Sequence, residues 1–191
     1  SGKTQTSSTA VFTLAPRINA AGRMGDPQKA AELLLAETAE EAAALAREIQ
    51  EYNQKRQALE ADLLKEVLAR IDEHPEWTHD RILVIDGEGW YSGIVGILAA
   101  RILERYGKPC MLLSSLPDKV KGSGRSIKGF PLFDAIASCS DLLTSFGGHE
   151  LAAGVSLTPE NVAEFRRRIN DWAAEHFPEM PTATLNVDCK L

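Results

Sequence analysis

The longest hydrophobic pattern in the chain lies between Thr38 and Glu73 and has the period of an α-helix. Apolar side chains recur there at steps of three and four residues, or multiples of these, with no internal Gly or Pro. They are Leu45, Ile49, Tyr52, Leu59, Leu63 and Val67. Thr38 followed by Glu41 has the spacing of a capping box, so we expect the helix to begin near Thr38. At about 1.5 Å per residue it would be about 50 Å long, which favours a connector between two parts of the protein.

Residues 80–180 instead alternate between strand-like and helix-like patterns. Short apolar runs at 81–86 and 109–115 predict strands, and the helical pattern at 92–107 between them ends at Gly107. Two strands joined by a helix form a βαβ unit. The pattern therefore predicts an α/β fold, a compact domain with a mixed β-sheet flanked by helices, preceded by the long connector helix.

The second half of this domain contains several further predicted elements. A strand enters the glycine-rich loop at 120–129, an amphipathic helix covers 131–146, and a strand covers 151–157. A last helix begins at Thr158 and Pro159 and carries an apolar stripe. The stripe consists of Val162, Phe165, Ile169 and Trp172.

The two ends of the chain do not resemble complete domains. Residues 11–27 predict an extended apolar piece followed by a glycine-rich turn, which is too little for a domain. The last residues, 183–191, alternate like the first strand of a further module.

Composition narrows the class of protein. The chain has 191 residues, 44% of them hydrophobic, which is typical of a soluble globular protein. Its net charge of -6 argues against a protein that coats nucleic acid electrostatically, so any anion site must be local. No stretch approaches the roughly 18 consecutive apolar residues of a membrane helix, so no membrane association is expected. Three cysteines without CxxC spacing indicate neither a zinc site nor a disulfide framework, and a reducing cytoplasm is the default setting.

The segment GSGRS at 122–126 is the first candidate anion site. Its glycines permit close approach, its hydroxyls can donate hydrogen bonds, and the guanidinium of Arg125 has the planar geometry that suits phosphate. The candidate phosphate ligands are Ser123, Gly124, Arg125 and Ser126. From this stretch alone, a plain surface turn is an equally open interpretation.

The segment FGGH at 146–149 is the second candidate and lies where a predicted helix ends and a predicted strand begins. Gly147 is a candidate left-handed helix stop, Gly148 leaves room beside it, and His149 can donate to an anion or carry a proton. A histidine that only satisfies a helix end remains the alternative. Because no cluster of Asp and Glu lies near His149 in the sequence, we expect no metal site within this chain.

Two weaker candidates complete the set. Residues 87–96 join the first strand of the βαβ unit to its helix, so backbone N–H groups at the helix start are available to an anion. The alternative there is a tight turn in which Trp90 only packs. The segment 16–25 places Arg17 and Arg23 six residues apart around small residues.

Taken together, these segments resemble the RecJ family of single-stranded-DNA-specific exonucleases, which belongs to the DHH phosphoesterase superfamily. The resemblance rests on segments that follow in order through nearly the whole chain: APRINAAGRMGD, GEGWYSGIVGILAARILERYGKP, KGSGRSIKGFPLFDAI and FGGHELAAGVSL. It implies that 1–30 end a DHH domain, 31–79 form connector helices, 80–180 form a DHHA1 substrate-binding domain and 181–191 begin an OB-fold.

The resemblance also implies an activity, hydrolysis of the phosphodiester bonds of single-stranded DNA from 5′ to 3′ in DNA repair and recombination. Repair and recombination proteins are implied as further partners. Mn²⁺ or Mg²⁺ would be bound by a DHH domain outside these residues, so this chain alone is expected to be inactive. The implied phosphate-binding residues are Arg17, Asn19, Arg23, Ser123, Gly124, Arg125, Ser126, Gly147, Gly148 and His149, with Arg125 and His149 supporting the transition state.

Two features depart from the family pattern. Tyr91 occupies a position where the family usually has His, and no Asp-His-His motif occurs in these residues. Two alternatives stay open. One is a phosphodiesterase of the same superfamily that acts on short oligonucleotides or cyclic dinucleotides, although such enzymes tend to carry a longer glycine run before the histidine. The other is a non-enzymatic, RNA-binding DHHA1 module.

Overall fold

The structure, a computed structural model, describes residues 6–182 and divides into two compact units. The first comprises Ser1–Leu63 and the second Leu64–Leu191, so their boundary falls inside one long helix. The strand predicted at 183–191 lies outside the described residues. Within the described part of the chain, no helix is both long enough and apolar enough to cross a membrane.

The described residues of the first unit are mostly helical. They form α1 (Ser7–Thr9), a π-helical turn (Ala10–Leu14), α2 (Ala15–Arg23), α3 (Pro27–Leu35) and the first part of α4 (Ala39–Glu73). The prediction of an extended piece near the start of this region is wrong. Oγ1 of Thr6 accepts a hydrogen bond from the backbone N–H of Thr9 at 3.3 Å. This cap starts a helix, and the chain continues as helix from there.

One apolar cluster joins the helices of this unit. It contains the buried side chains of Ala21, Ala30 and Ile49, and the half-buried side chains of Ile18, Leu33 and Tyr52 pack against them. The hydroxyl of Tyr52 donates to Oδ2 of Asp26 at 3.1 Å, which ties α4 to the turn between α2 and α3. Because alanines line the contact, the helices can approach one another closely.

The long helix α4 confirms the single helix predicted to begin near Thr38, whose Oγ1 accepts a hydrogen bond from a backbone N–H of the first turn at 3.2 Å. Its buried stripe has polar residues in the middle. Asn53 and Glu60 are buried, whereas Leu59, predicted to lie on the stripe, is 42% exposed. Arg56 pairs with Glu60 and donates to Oδ1 of Asn53 at 3.1 Å, so these polar side chains are linked to one another within the stripe.

The second unit contains a five-stranded mixed sheet. Its strands are β1 (Leu83–Glu88), β2 (Cys110–Ser115), β3 (Val120–Arg125), β4 (Leu143–His149) and β5 (Ala152–Leu157), in the order β1-β2-β3-β5-β4. Strands β1 and β2 are parallel and are joined through α5 (Ser92–Tyr106), whereas the other pairs are antiparallel. Helices α6 (Leu132–Ala137) and α7 (Val162–His176) complete the unit. The predicted α/β class and the βαβ unit are confirmed.

The sheet is covered on both faces over its first strands. On one face an apolar cluster joins the sheet to α6 and α7, with Phe130, Phe165 and Ile169 fully buried. On the other face α5 contacts β2 and β3. Burial on both faces explains why β2 is a continuous apolar run rather than an alternating one.

Three predicted elements differ from the structure. The helix predicted at 131–146 is confined to α6, and β4 begins within its last residues. The glycine-rich segment 120–129, predicted mainly as a loop, contains strand β3. Strand β1 begins at Leu83, later than predicted, because the side chain of Asn170 on α7 hydrogen-bonds the N–H and the carbonyl of Ile82 at 2.9 and 3.1 Å. These bonds take the place of a neighbouring strand at that residue.

Candidate nucleic-acid interface

Strand β3 divides its side chains between the two faces of the sheet. Alternation along the strand places Gly124 toward the α6 and α7 side, where a methyl group on it would lie 2.8 Å from Cδ2 of Leu132. Glycine at this position therefore lets the sheet pack closely on the apolar cluster. Lys121, Ser123 and Arg125 point in the opposite direction.

Helix α5 lies next to β3 on that opposite side. A methyl group at Gly96 would lie 2.9 Å from Oγ of Ser123 and 3.0 Å from Nη2 of Arg125. Nη1 of Arg125 donates to Oγ of Ser123 at 3.2 Å and to the carbonyl of Gly124 at 2.7 Å. The guanidinium is therefore held by its own strand, beside a helix that leaves room for it.

The pairing of β3, β5 and β4 continues this face of the sheet. In an antiparallel pair, residues directly opposite one another point to the same side. The registers define three cross-strand rows, which are Arg125 with Ala152 and His149, Ser123 with Gly154 and Gly147, and Lys121 with Ser156 and Ser145. We call these residues together the open face. The structure thus brings the two candidate segments GSGRS and FGGH onto one surface.

A β-bulge in β4 determines which side chains of that strand lie on the open face. The regular register at the start of β4 would pair Thr144 with Ser156, but the bulge makes Ser145 the partner. Beyond the bulge the alternation of side chains is shifted by one position. Without this shift, Gly147 and His149 would point to the other side of the sheet.

Arg125 and His149 lie at the two ends of one row, with Ala152 between them. Adjacent strands are about 4.8 Å apart, so the two backbones are separated by roughly 10 Å. Gly154 and Gly147 form the middle and end of the next row. The surface between the guanidinium and the imidazole therefore consists of small residues, and an anionic ligand can lie flat on it within reach of both side chains.

A concavity of about 410 Å³ lies over the Ser123 and Lys121 rows of the open face, beside the start of α5. It is lined by residues of β3, β4 and β5 together with Ser92 and Val95 of α5. Its volume falls within the roughly 300–1,000 Å³ that is usual for ligand sites.

The charge of the open face differs from that of the whole chain. None of its residues carries a carboxylate, whereas Lys121 and Arg125 bring positive charge to a chain whose net charge is -6. Among the described residues, Lys121 has no ion-pair partner. The residues that the structure describes contain no group of three or more His, Cys, Asp and Glu side chains that could hold a metal ion. The side chains of the open face are thus positively charged or neutral.

Two of the predicted phosphate ligands have roles inside the fold. Ser126 is buried, and its hydroxyl donates to the carbonyl of Phe130 at 2.8 Å. Gly148 has a φ of 149°, and a side chain there would collide with Ala153 of the neighbouring strand. Gly147 is a strand residue and not the left-handed helix stop that we expected, because β4 replaces the second half of the predicted helix.

The remaining predicted residues lie in the first unit, on α2. Nε of Arg17 donates to Oε1 of Gln50 on α4 at 2.7 Å, which turns this side chain toward the interior of its own unit. Asn19 is exposed, and Arg23 follows it by four residues, so the two lie on one face of α2. The three residues predicted as one group therefore do not share one face of the helix.

The loop between β1 and α5 is held by its tryptophan. Trp90 is 4% exposed, its indole N–H donates to Oε1 of Glu66 at 2.8 Å, and its carbonyl accepts from the hydroxyl of Ser114 at 2.6 Å. Tyr91, where the family usually has His, is 39% exposed at the N-cap of α5. The packing interpretation of Trp90 is the one that fits these contacts.

Sequence reasoning missed Ser145 and Ser156, which line the same concavity. Ser156 could have been found, because Val155 and Leu157 on either side of it are apolar and the alternation assigns them to the core face. Ser145 had no such signal, since its direction depends on the bulge at Thr144.

Comparison with known proteins agrees with this architecture. Residues 79–175 match the DHHA1 domain family. The single-stranded-DNA-specific exonuclease RecJ of Bacillus subtilis is 36% identical over 183 residues, which cover 93% of this chain and 23% of that protein. RecJ of Dickeya dadantii is 40% identical over 172 residues, which cover 86% of this chain and 30% of that protein.

Solved structures agree as well. A structure of RecJ from Thermus thermophilus in complex with Mg²⁺ superposes with a TM-score of 0.84 at 35% identity, covering 97% of this chain and 28% of that one. A structure of exonuclease RecJ bound to manganese gives a TM-score of 0.78 at 34% identity, covering 95% of this chain and 44% of that one. The chain thus spans about a quarter to a third of the length of the curated relatives named above. The family match covers about half of the chain, and the fold agrees with those of the solved relatives. The chain therefore belongs to the DHHA1 domain family.

Proposed function

We propose that this chain is the nucleic-acid-binding part of a RecJ-like exonuclease that hydrolyses phosphodiester bonds of single-stranded DNA. The observation that carries the proposal is the row formed by Arg125, Ala152 and His149, which presents a guanidinium and an imidazole on either side of a small-residue surface. The relatives named as single-stranded-DNA-specific exonucleases, at 31–40% identity, support the same substrate.

The open face suits the backbone of a single strand. Gly147 and Gly154 leave no side chain above the sheet, so a sugar-phosphate chain can approach the strands closely. Guanidinium and hydroxyl groups provide the donors that a phosphodiester needs. Arg125 is already hydrogen-bonded to Ser123, so little side-chain freedom is lost when a phosphate binds.

The role of these residues in hydrolysis is electrostatic. In phosphodiester cleavage negative charge accumulates on the phosphate oxygens, and donors fixed at that position lower the barrier. Arg125 and His149 supply such donors in our proposal. The guanidinium offers two N–H groups to one phosphate, and the imidazole offers one N–H from the opposite end of the row.

The proposal assigns metal binding to other parts of the protein. Relatives were solved with Mg²⁺ or Mn²⁺, and we infer that the whole protein uses a divalent ion to activate water. The described residues of this chain do not offer a ligand set for such an ion. The open face therefore contributes to binding and orienting the strand, and Asn19 and Arg23 on α2 are proposed as further phosphate contacts.

Substitution of Arg125 tests the function. In the full-length protein we expect Arg125→Ala to lower kcat/KM on a 5′-phosphorylated single strand by roughly 10- to 100-fold, the usual cost of losing hydrogen bonds from a charged group. The measurement compares this strand with a dinucleotide and with cyclic di-AMP. A preference of the unsubstituted protein for either small substrate would overturn the exonuclease assignment in favour of a small-substrate phosphodiesterase.

A matched control separates this effect from a general loss of charge. Arg167 is an exposed arginine on α7, paired with Glu164 and Asp171, on the helix that packs against the other face of the sheet. Arg167→Ala removes the same charge and is expected to leave kcat/KM unchanged within about twofold, since exposed pairs contribute little. Equal losses in the two variants would contradict a specific role for Arg125.

A further inference from the structure

The open face continues past Ser123 in a row that the proposed function does not use. Lys121, Ser156 and Ser145 lie side by side on β3, β5 and β4, and all three line the concavity. They combine one ammonium group with two hydroxyl groups. This is donor chemistry for an oxyanion.

These side chains are available to a ligand. Lys121 and Ser145 are exposed and Ser156 is half-buried. Among the residues that the structure describes, none of the three makes a side-chain hydrogen bond or an ion pair. In contrast, Arg166 and Arg168 elsewhere in the same unit are each paired with an aspartate. This row therefore differs from those arginines, because its lysine has no ion-pair partner and its two hydroxyls make no hydrogen bond among the described residues.

The bulge in β4 is a second, independent observation. If β4 continued in the register of its first residue, Thr144 would pair with Ser156 and Ser145 would point to the other side of the sheet. The inserted residue instead aligns Ser145 with Ser156 and, in the same step, brings His149 into line with Arg125. The same bulge therefore places a residue of β4 in the Lys121 row and another in the Arg125 row.

The distance between the rows matches a repeating ligand. Lys121 lies four positions before Arg125 on β3, with the Ser123 row between them, and two positions advance about 7 Å along a strand, so the Lys121 and Arg125 rows are about 14 Å apart. One row step is close to the distance between neighbouring phosphates of an extended single strand, so the Lys121 and Arg125 rows are separated by about two phosphate steps. A ligand with one phosphate would use one row, whereas a polynucleotide would use several.

We propose that Lys121, Ser145 and Ser156 form a second phosphate subsite, which binds the phosphodiester two positions along the strand from the one held by Arg125 and His149. The subsite rests on the proposed function, because it takes the same strand. With this second subsite, the chain would bind two phosphates of the same single strand. Recognition then depends on a polynucleotide rather than on a single phosphate group.

Salt-dependent binding tests the subsite in the full-length protein. The probe is a 5′-phosphorylated oligodeoxynucleotide, measured by fluorescence anisotropy without divalent metal so that it is not hydrolysed. We expect Lys121→Gln to weaken binding roughly tenfold and to reduce the slope of log K against log salt by about 0.7, the loss of one phosphate contact. The double variant Ser145→Ala with Ser156→Ala should weaken binding roughly fivefold without changing the slope, because hydroxyls carry no charge.

A chemical scan of the probe identifies the phosphate concerned. Replacing one phosphodiester at a time with a neutral methylphosphonate should reveal a single position at which Lys121→Gln no longer differs from the unsubstituted protein. A loss that persists for every probe would overturn the subsite, because the lysine would then act through long-range attraction. Arg167→Gln again serves as the control of equal charge and should bind every probe normally.

The failure of the subsite can be told apart from the failure of the proposed function. If Arg125→Ala weakens binding and Lys121→Gln does not, the second subsite is wrong and the first remains. If neither variant weakens binding of the single strand, both are wrong. Thermal unfolding of each variant confirms that the exposed substitutions leave the fold intact.

Discussion

Strand β3 meets an apolar cluster on one face and an exposed polar surface on the other, and its residues face these two sides alternately. Gly124 faces Met111 and Leu132, whereas Ser123 and Arg125 belong to the open face, and Ser123 lines the concavity. On the cluster side, an added carbon at Gly124 would collide with buried side chains. On the open face, there are a concavity and two positively charged side chains. We therefore expect changes on the first side to alter stability and changes on the second to alter binding.

The largest expected effect comes from filling the cluster side. Gly124→Val should lower the free energy of unfolding by about 3 kcal/mol, because the added carbons collide with side chains that are fully buried and have nowhere to move. Denaturant titration with far-UV circular dichroism measures this loss. An unfolding free energy within about 0.5 kcal/mol of the unsubstituted protein would contradict the close packing described for this strand.

A substitution at Ser123, which precedes Gly124 and lies on the open face, should weaken binding and leave stability almost unchanged. Ser123→Ala removes the hydroxyl that accepts from Arg125 at 3.2 Å, and we expect the dissociation constant for a single strand to rise about fivefold, the cost of one hydrogen bond. Unfolding free energy should change by less than about 0.5 kcal/mol, as is usual for surface positions. Anisotropy and denaturation on the same preparation report the two quantities. A stability loss as large as that of Gly124→Val would remove the distinction between the two faces.

The smallest effect concerns the helix that covers the cluster side. Hydrogen bonds from Arg168 on α7 hold the pKa of Asp141 below its ordinary value. A lowered pKa in the folded state stabilises the protein above the pKa of the unfolded chain, and the stabilisation disappears as pH falls through the lowered value. The Tm difference between the unsubstituted protein and Asp141→Asn should therefore be positive near pH 7 and shrink below about pH 4.

Asp118 provides the reference for this pH experiment. It is an exposed carboxylate in the turn between β2 and β3, and among the described residues it has no ion-pair partner. Asp118→Asn removes a carboxylate without removing an ion pair, so we expect it to change Tm near pH 7 by less than Asp141→Asn does. If both variants behave alike, the pair between Asp141 and Arg168 contributes nothing measurable.

The elements that the sequence predicted well are those with local signals. Helix α5 ends where expected, because Gly107 adopts a φ of 65° that favours glycine. Strand β2 was predicted because burial on both faces makes its sequence continuously apolar. The open-face residues Ser123, Arg125 and His149 were predicted from their chemistry and from the family resemblance, and their phosphate contacts remain a prediction.

The elements that were missed depend on tertiary contacts. Strand β3 contains Gly122 and Gly124, which individually disfavour strands, and it forms because it pairs with β2 and β5. Glycine is needed at both positions because a side chain there would collide with its neighbours. Strand β4 was predicted as helix, since Leu132, Ile136 and Leu143 are compatible with helical spacing. Nothing in that stretch alone reveals that the helix ends at Ala137 and that pairing with β5 takes over.

The bulge at Thr144 also affects how this surface tolerates sequence change during evolution. A substitution at Thr144 leaves the register of β4 with β5 in place, because the extra residue is still present. An insertion or deletion of one residue between Leu143 and Ser145 would instead exchange the two faces for every later side chain of β4. The length of this stretch is therefore under a stricter constraint than its composition, and related chains are expected to vary here by replacement and not by gaps.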